Sequence, residues 1–273
     1  MPESVAPGRS ASRSGSVEVA SRALPGLEPR EGAGAPRVPA YEADAVRAAE
    51  RPSLAAGRPL MRWAASALAD VVTAELRERP GAILVVAGAG DNGGDALYAA
   101  AELCAAADRV DVVLVRDRVH RAALEAATAA GARVRSTSEA CADLADYAVV
   151  IDGILGIGRL ADRRLRGSAR ALVERVLSLP TRPRVVAVDL PSGLDPDDGS
   201  ADAAVLPADV TVTFGALKAG LVRGRGPDLA GRVHLVDLGL DPALRLARPA
   251  LTTPLDLVRV TTPGSATAAT QRA

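Results

Sequence analysis

The stretch Ala82-Ile-Leu-Val-Val-Ala87-Gly-Ala-Gly-Asp-Asn-Gly-Gly-Asp95 decides the fold. Its first six residues form a short, uninterrupted apolar run, the pattern of a strand buried on both faces of a parallel sheet. The glycines that follow open a helical pattern at about 95–107. They let the backbone pass close to a ligand and present successive amides at a helix N-terminus, where phosphate is favoured. A tight turn without ligand is the plainer reading of the same residues. The segment also satisfies G-x-G-x-x-G at Gly88, Gly90 and Gly93, with Asp117 near the end of the next strand, which suggests a dinucleotide-binding enzyme. A second Gly and an Asp after the third glycine set it apart from the usual dehydrogenase fingerprint.

Working outward, β-branched runs recur at 110–115, 147–151, 184–188 and 210–214, with a similar run at 232–236. Helical patterns at 118–130 and 166–179 separate them, the second stopped by Pro180. Upstream, Leu60, Met61, Trp63, Ala64, Ala67, Leu68, Val71, Val72 and Leu76 recur at three- and four-residue steps, the apolar stripe of an amphipathic helix. Strand, helix, strand repeated in this way predicts an α/β, doubly wound, mostly parallel sheet with helices on both faces. Ligands of such sheets sit beyond the carboxyl ends of the strands.

The chain has 273 residues, with 33 Lys+Arg balancing 33 Asp+Glu. A formal charge of zero removes the broad attraction that nucleic-acid and membrane-surface binders use. No apolar run approaches the roughly 20 residues that span a bilayer. Cys104 and Cys141 belong to no metal-binding or disulfide pattern, so a reducing, cytoplasmic setting is expected. Residues 1–37, rich in Ser, Gly, Pro and Arg, are expected to be a disordered tail; 38–247 the folded unit; and 248–273 a tail or truncated linker.

The strand ends carry the chemistry. One runs into Asp152-Gly-Ile-Leu-Gly-Ile-Gly158 and the next into Asp189-Leu-Pro-Ser192, each placing a carboxylate at the carboxyl edge. Asn92, Asp152 and Ser192 are oxygen donors with no His or Cys nearby, a set suited to a hard cation. Lys218 follows a strand and could meet a phosphate, an exposed loop lysine being the ordinary alternative. His120 and His234 are read as structural or solvated. Neither a G-x-S-x-G elbow nor a Walker A loop is present.

Taken in order, Gly90-Asp-Asn-Gly-Gly-Asp95, Asp152-Gly-Ile-Leu-Gly-Ile-Gly158, Val188-Asp-Leu-Pro-Ser-Gly-Leu194, Thr211-Val-Thr-Phe-Gly215 with Lys218, and Gly231-Arg-Val-His-Leu-Val-Asp-Leu-Gly239 resemble the NAD(P)H-hydrate epimerase family, or YjeF N-terminal domain. The resemblance covers about 41–240 and implies a Rossmann-like three-layer α/β/α sandwich. It implies an isomerase that interconverts the R and S forms of hydrated NADH or NADPH and feeds an S-specific NAD(P)H-hydrate dehydratase. Homodimerisation is left open. By position, Asn92, Asp152 and Ser192 would bind a potassium ion. Asp91, Asn92, Gly93, Gly94 and Asp95, together with Gly156, Ile157, Gly158, Arg159, Leu160, Ala161 and Asp162, would hold the substrate's phosphates and ribose. Asp189 would be the acid/base residue at the nicotinamide-derived ring. Asp91, Ala96 and Ile157 stand where the family usually has Asn, Gly and Thr. The alternatives are a non-catalytic binding or dimerisation module of the same fold and an NAD-dependent oxidoreductase.

Overall fold

The computed structural model describes residues 35–263. The expected terminal tails before residue 35 and after residue 263 lie outside the described residues. Eleven strands are present among the described residues: β1 (Arg37–Tyr41), β2 (Ala82–Ala87), β3 (Val110–Leu114), β4 (Arg133–Arg135), β5 (Tyr147–Gly153), β6 (Arg184–Val188), β7 (Val210–Phe214), β8 (Leu217–Lys218), β9 (Arg232–Asp237), β10 (Leu251–Pro254) and β11 (Val258–Thr261). The longer helices are α1 (Ala43–Ala55), α2 (Leu60–Glu78), α3 (Asp91–Leu103), α4 (Arg121–Ala129), α5 (Thr137–Ala142) and α6 (Gly167–Leu177).

Eight strands form one sheet in the order β11-β9-β7-β6-β5-β2-β3-β4, with every neighbouring pair parallel. Alternation within β2 fixes the layers. Ile83, Val85 and Ala87 pack on one side with α2, α3 and α4, through Leu68, Val72, Leu97, Leu103 and Ala123. Leu84 and Val86 pack on the other with α5 and α6, through Ala140, Leu172, Val173 and Val176. Burial on both faces is what makes these strands continuous apolar runs. The chain steps from β2 to β3 and β4 in one direction, then returns to place β5 on the other side of β2. That reversal opens a crevice between the carboxyl ends of β2 and β5, the switch point where ligands bind in open parallel sheets.

The C-terminal boundary differs from expectation. The expected folded unit stops at 247, yet β10 pairs antiparallel with β1, and β11 pairs parallel with β9 at the edge of the main sheet. Short strands alternating polar and apolar residues gain their order from an edge to pair with rather than from a core run. β1 also pairs with β8, so a second sheet, β10-β1-β8, joins both ends of the described chain to the segment just after β7.

Away from the crevice, one buried charge ties three strands together. Asp111 in β3 is fully buried and accepts from Tyr147 Oη of β5 at 2.7 Å, Arg109 Nε at 2.9 Å, and Arg133 Nε and Arg135 Nη1 of β4 at 3.0 and 3.2 Å. Burial pushes its carboxyl up, but the bonds from Tyr147, Arg133 and Arg109 outweigh it and leave the group below its ordinary range. Asp111→Ala removes the shared acceptor and is expected to lower stability by about 3 kcal/mol. A urea midpoint unchanged from the native protein would show that the arginines are indifferent to it.

Candidate active site

A cavity of about 680 Å³ occupies the crevice, lined in part by Gly90, Asp91, Asn92 and Asp95 after β2, by residues 154–160 and Asp162 after β5, and by Asp189 after β6. α3 begins at Asp91, four residues earlier than the sequence pattern suggests, so the glycine-rich segment is itself the first helical turn. Its N-cap, Gly90, has no capping side chain; Gly94 N donates to the Gly90 carbonyl at 3.1 Å, and the amides of Asp91, Asn92 and Gly93 before it are left available to an anion.

The glycines serve packing as much as ligand approach. A Cβ at Gly88 would lie 1.9 Å from the Ile154 carbonyl oxygen, and one at Gly93 would lie 2.1 Å from that of Gly88. Only Gly90 faces open space in this run. Ala96, fully buried, meets Gly153, where a Cβ would come within 2.5 Å of the Ala96 methyl. The extra methyl at 96 therefore sits in the core, away from the cavity.

The loop after β5 is held by its carbonyls. Arg163 donates to the carbonyl oxygens of Gly156 and Gly158 at 2.8 Å each, and Arg47 of α1 donates to that of Ile157. The amides of Gly156, Ile157, Gly158 and Arg159 donate to no acceptor among the described residues. Two N–H-rich segments thus border one cavity, an arrangement suited to a diphosphate.

Asp189 is the one described non-glycine residue with a left-handed backbone, at φ 68°. Its carboxylate is buried, and its Oδ1 accepts from Lys218 Nζ, from Phe214 N at 3.2 Å and from Thr213 Oγ1 at 3.3 Å. Among the described residues no donor reaches Oδ2. Lys218 is only 1% exposed and also donates to the Phe214 carbonyl at 2.7 Å and to Thr213 Oγ1 at 3.2 Å. Both expectations for Lys218, phosphate contact and an exposed loop position, are therefore corrected: it lies in β8 beneath Asp189 as the carboxylate's countercharge.

Asn92, Asp152 and Ser192 are buried together under the cavity floor. Ser192 N donates to Asp152 Oδ2 at 2.9 Å, Leu155 N donates to Ser192 Oγ at 2.8 Å, and Asn92 Nδ2 donates to the carbonyls of Val188 at 2.6 Å and Leu155 at 3.1 Å. Asp152 is 1% exposed and forms no ion pair among the described residues. Burial pushes its carboxyl up, opposed by hydrogen bonds from Ser192 and Ile154. A buried carboxylate beside neutral oxygen donors, with no Lys or Arg to balance it, fits a bound cation.

A second carboxyl group shares the cavity with Asp189. Asp95 is 7% exposed, and burial first, then the neighbouring Asp189, Asp91 and Glu50, push it well above the ordinary carboxylate range. Glu50 of α1 is also raised, chiefly by burial, with Lys218 opposing. One site thus brings together a carboxylate paired with lysine and a carboxyl that favours its neutral form, the pairing that divides acid from base roles.

Of the residues expected at the site, Asp91, Asn92, Asp95, Gly156, Ile157, Gly158, Arg159, Leu160, Asp162 and Asp189 line the cavity. Ala161 lines an adjoining cleft with Asp44, Arg47 and Asp195. Gly93 packs on Gly88, and Gly94 packs on Met61 and His120, so both shape the turn rather than the cavity wall. His120 caps α4, accepting from Ala123 N at 3.2 Å. Arg47, Glu50 and Arg163 were not expected, because an arginine that binds backbone carbonyls leaves no spacing signal.

A parallel sheet with an amide-lined crevice at its switch point and a carboxylate at the adjoining strand end defines a Rossmann-like protein with a nucleotide-type site. The family described as YjeF-related protein N-terminus matches residues 57–220, and the chain belongs to that family. It is 72% identical to an NAD(P)H-hydrate epimerase of Microbacterium testaceum, over 91% of this chain and 97% of that protein. An NAD(P)H-hydrate epimerase of Clavibacter michiganensis is 50% identical over 76% of this chain and 96% of its own. The bifunctional NAD(P)H-hydrate repair enzyme Nnr of Mycobacterium tuberculosis is 41% identical over 74% of this chain and 42% of its own. The crystal structure of yeast YNL200c shares the fold, with a TM-score of 0.59 at 20% identity over 69% of this chain and 85% of that one.

The raised carboxyl of Asp95 has a measurable signature. Because the folded form holds its proton above the range where the unfolded chain releases it, native stability falls as pH rises through that window. Asp95→Asn lacks this titration, so its stability relative to the native protein should rise from about pH 4 to about pH 8. Urea midpoints at both pH values read the difference, and a constant difference would show that Asp95 titrates normally.

Proposed function

We propose that the chain interconverts the R and S forms of hydrated NADH and NADPH. The observation that carries the chemistry is the Oδ2 of Asp189, which no donor reaches among the described residues, at the same cavity as Asp95. Inverting the hydroxyl-bearing ring carbon requires the hydroxyl to leave and return on the other face, or the ring to open and reclose. Each route needs one proton donor and one acceptor within reach of the bound ring. Asp95 supplies a proton to the departing oxygen or nitrogen, Asp189 accepts one, and exchange with water restores both. Positioned proton transfer of this kind contributes about 10²- to 10⁴-fold. The amides of the α3 N-terminus and of Gly156, Ile157 and Gly158 hold the diphosphate and fix the ring against Asp189.

Asn92, Asp152 and Ser192 would hold a potassium ion, which supplies electrostatic balance for the Asp152 carboxylate and the diphosphate. The product passes to an S-specific dehydratase; the name of the bifunctional M. tuberculosis relative supports a second activity in the same repair process. Among the described residues no helix is long and apolar enough to cross a membrane, and we place the reaction in the cytoplasm, among the reduced cofactors it repairs.

Asp189→Asn keeps an oxygen that can accept from Lys218 but leaves that ammonium without its countercharge, so it is expected to lose about 3 kcal/mol of stability and, while folded, to lower kcat by about 10²- to 10⁴-fold. The assay follows recovery of NADH absorbance from the R form in the presence of an S-specific dehydratase. Full turnover in this variant would remove Asp189 from its role. Exchanging potassium for lithium in the same assay should reduce kcat/KM several-fold, and equal rates in both salts would remove the potassium ion.

A further inference from the structure

Three residues of the cavity remain unused by this chemistry. Arg116, Asp117 and Arg118 follow β3, are exposed, line the same cavity and form no hydrogen bond or ion pair among the described residues. The cavity's other arginines are engaged: Arg159 pairs with Asp44 at 2.7 Å, and Arg164 and Arg166 both pair with Asp162.

Their place along the sheet edge gives them a role. Adjacent strands run β6, β5, β2, β3. With the reacting ring at Asp189 after β6 and the diphosphate at the amides after β5 and β2, continuing in the same direction brings the adenosine to the end of β3. Three strand spacings of roughly 4.8 Å separate β6 from β3, a distance suited to an extended dinucleotide. In a doubly wound sheet this is where an acidic residue meets a ribose 2′-hydroxyl or an arginine meets a 2′-phosphate. Here both kinds occur side by side, with two guanidiniums against one carboxylate. A 2′-phosphate is a dianion, and arginine binds phosphate oxygens in bidentate fashion.

We propose that Arg116, Asp117 and Arg118 read the 2′ position of the adenosine ribose, and that the two arginines select hydrated NADPH over hydrated NADH. This rests on the epimerase reading and extends it to substrate choice. Asp117 lowers the selectivity by repelling the phosphate and accepting the 2′-hydroxyl of the alternative substrate.

The test compares kcat/KM for the two hydrates in the native protein, in the double variant Arg116→Ala/Arg118→Ala and in Asp117→Asn. The native ratio should favour hydrated NADPH. The double variant should lower that ratio by about tenfold or more through KM, the scale of one charge-assisted phosphate contact, and Asp117→Asn should raise it. A parallel measurement needs no turnover: 2′-phospho-ADP-ribose should raise the melting temperature more than ADP-ribose does, and the double variant should lose that excess. A ratio unmoved by the double variant, or no native preference, would overturn the inference while leaving the epimerase reading intact. Excess stabilisation by the 2′-phosphate without epimerisation of either hydrate would support the inference and sink the epimerase reading.

Discussion

The buried pair of Asp189 and Lys218 is the interaction on which the site depends. Asp189 adopts a left-handed backbone that costs a non-glycine residue about 1–2 kcal/mol. The conformation is held by backbone bonds from Asp189 N to the Val212 carbonyl at 2.8 Å and from Leu190 N to that of Val188 at 2.8 Å. It turns the side chain toward Thr213, Phe214 and Lys218, and so couples the ends of β6, β7 and β8. Removing the lysine would strand a carboxylate in the protein interior, a change that typically costs about 3–5 kcal/mol. The strand that carries this lysine also pairs with a distant segment. Lys218 registers with Tyr41 across β8 and β1, and β1 leads directly into α1, which brings Glu50 to the cavity and Arg47 to the adjoining cleft.

That continuity explains why a second, small sheet exists. A single parallel sheet positions its strand ends but cannot by itself fix the long connections that leave them. Here β1, held by β10 on one side and β8 on the other, aims α1 across the loop after β5, where Arg47 binds the Ile157 carbonyl. Arg163 binds the carbonyls on either side of it and also pairs with Asp195 of the loop after β6, at 3.4 Å. When the carbonyls of a glycine-rich loop are engaged from behind, its amides are left for the cavity. Anion binding there is a consequence of side chains that never touch the anion.

Much of this was legible in the residues and part was not, for physical reasons. The strands at 82–87, 184–188 and 210–214 match the structure residue for residue, because burial on both faces writes short apolar or β-branched runs, with Thr211 and Thr213 buried within the last. β4 (Arg-Val-Arg), β8 and β10 (Leu-Thr-Thr-Pro) carry no such run and owe their order to a partner edge. Asn92, Asp152 and Ser192 were recognisable as a group because Asp152 lies at the end of a central strand and the other two follow such ends, and the sheet brings those ends together. Lys218 was misread because lysine is rarely buried unless paired, and its partner lies 29 residues away. The raised carboxyl of Asp95 was equally hidden: it depends first on burial, then on Asp189, Asp91 and Glu50, which only the fold collects.

The charge balance of the chain also takes on a different meaning. A net charge of zero excludes a broad attraction to polyanions, yet the cavity lining concentrates charges of both signs. Glu50, Asp95 and Asp189 line the cavity beside the buried Lys218, and Arg116 and Arg118 line it without an ion pair among the described residues, whereas Arg159, Arg164 and Arg166 are balanced by Asp44 and Asp162. Burial first, then the neighbouring carboxylates, hold Asp95 well above the ordinary carboxylate range, and burial likewise raises Glu50, so these two groups resist full ionisation. Arg116 and Arg118 favour the opposite, a multiply charged anion. A molecule with a proton-exchanging ring at one end and phosphates further along matches both at once. Reversing such a molecule would put its phosphates against Asp189 and Glu50, so the placement of charge bears on the direction of binding as well as its strength.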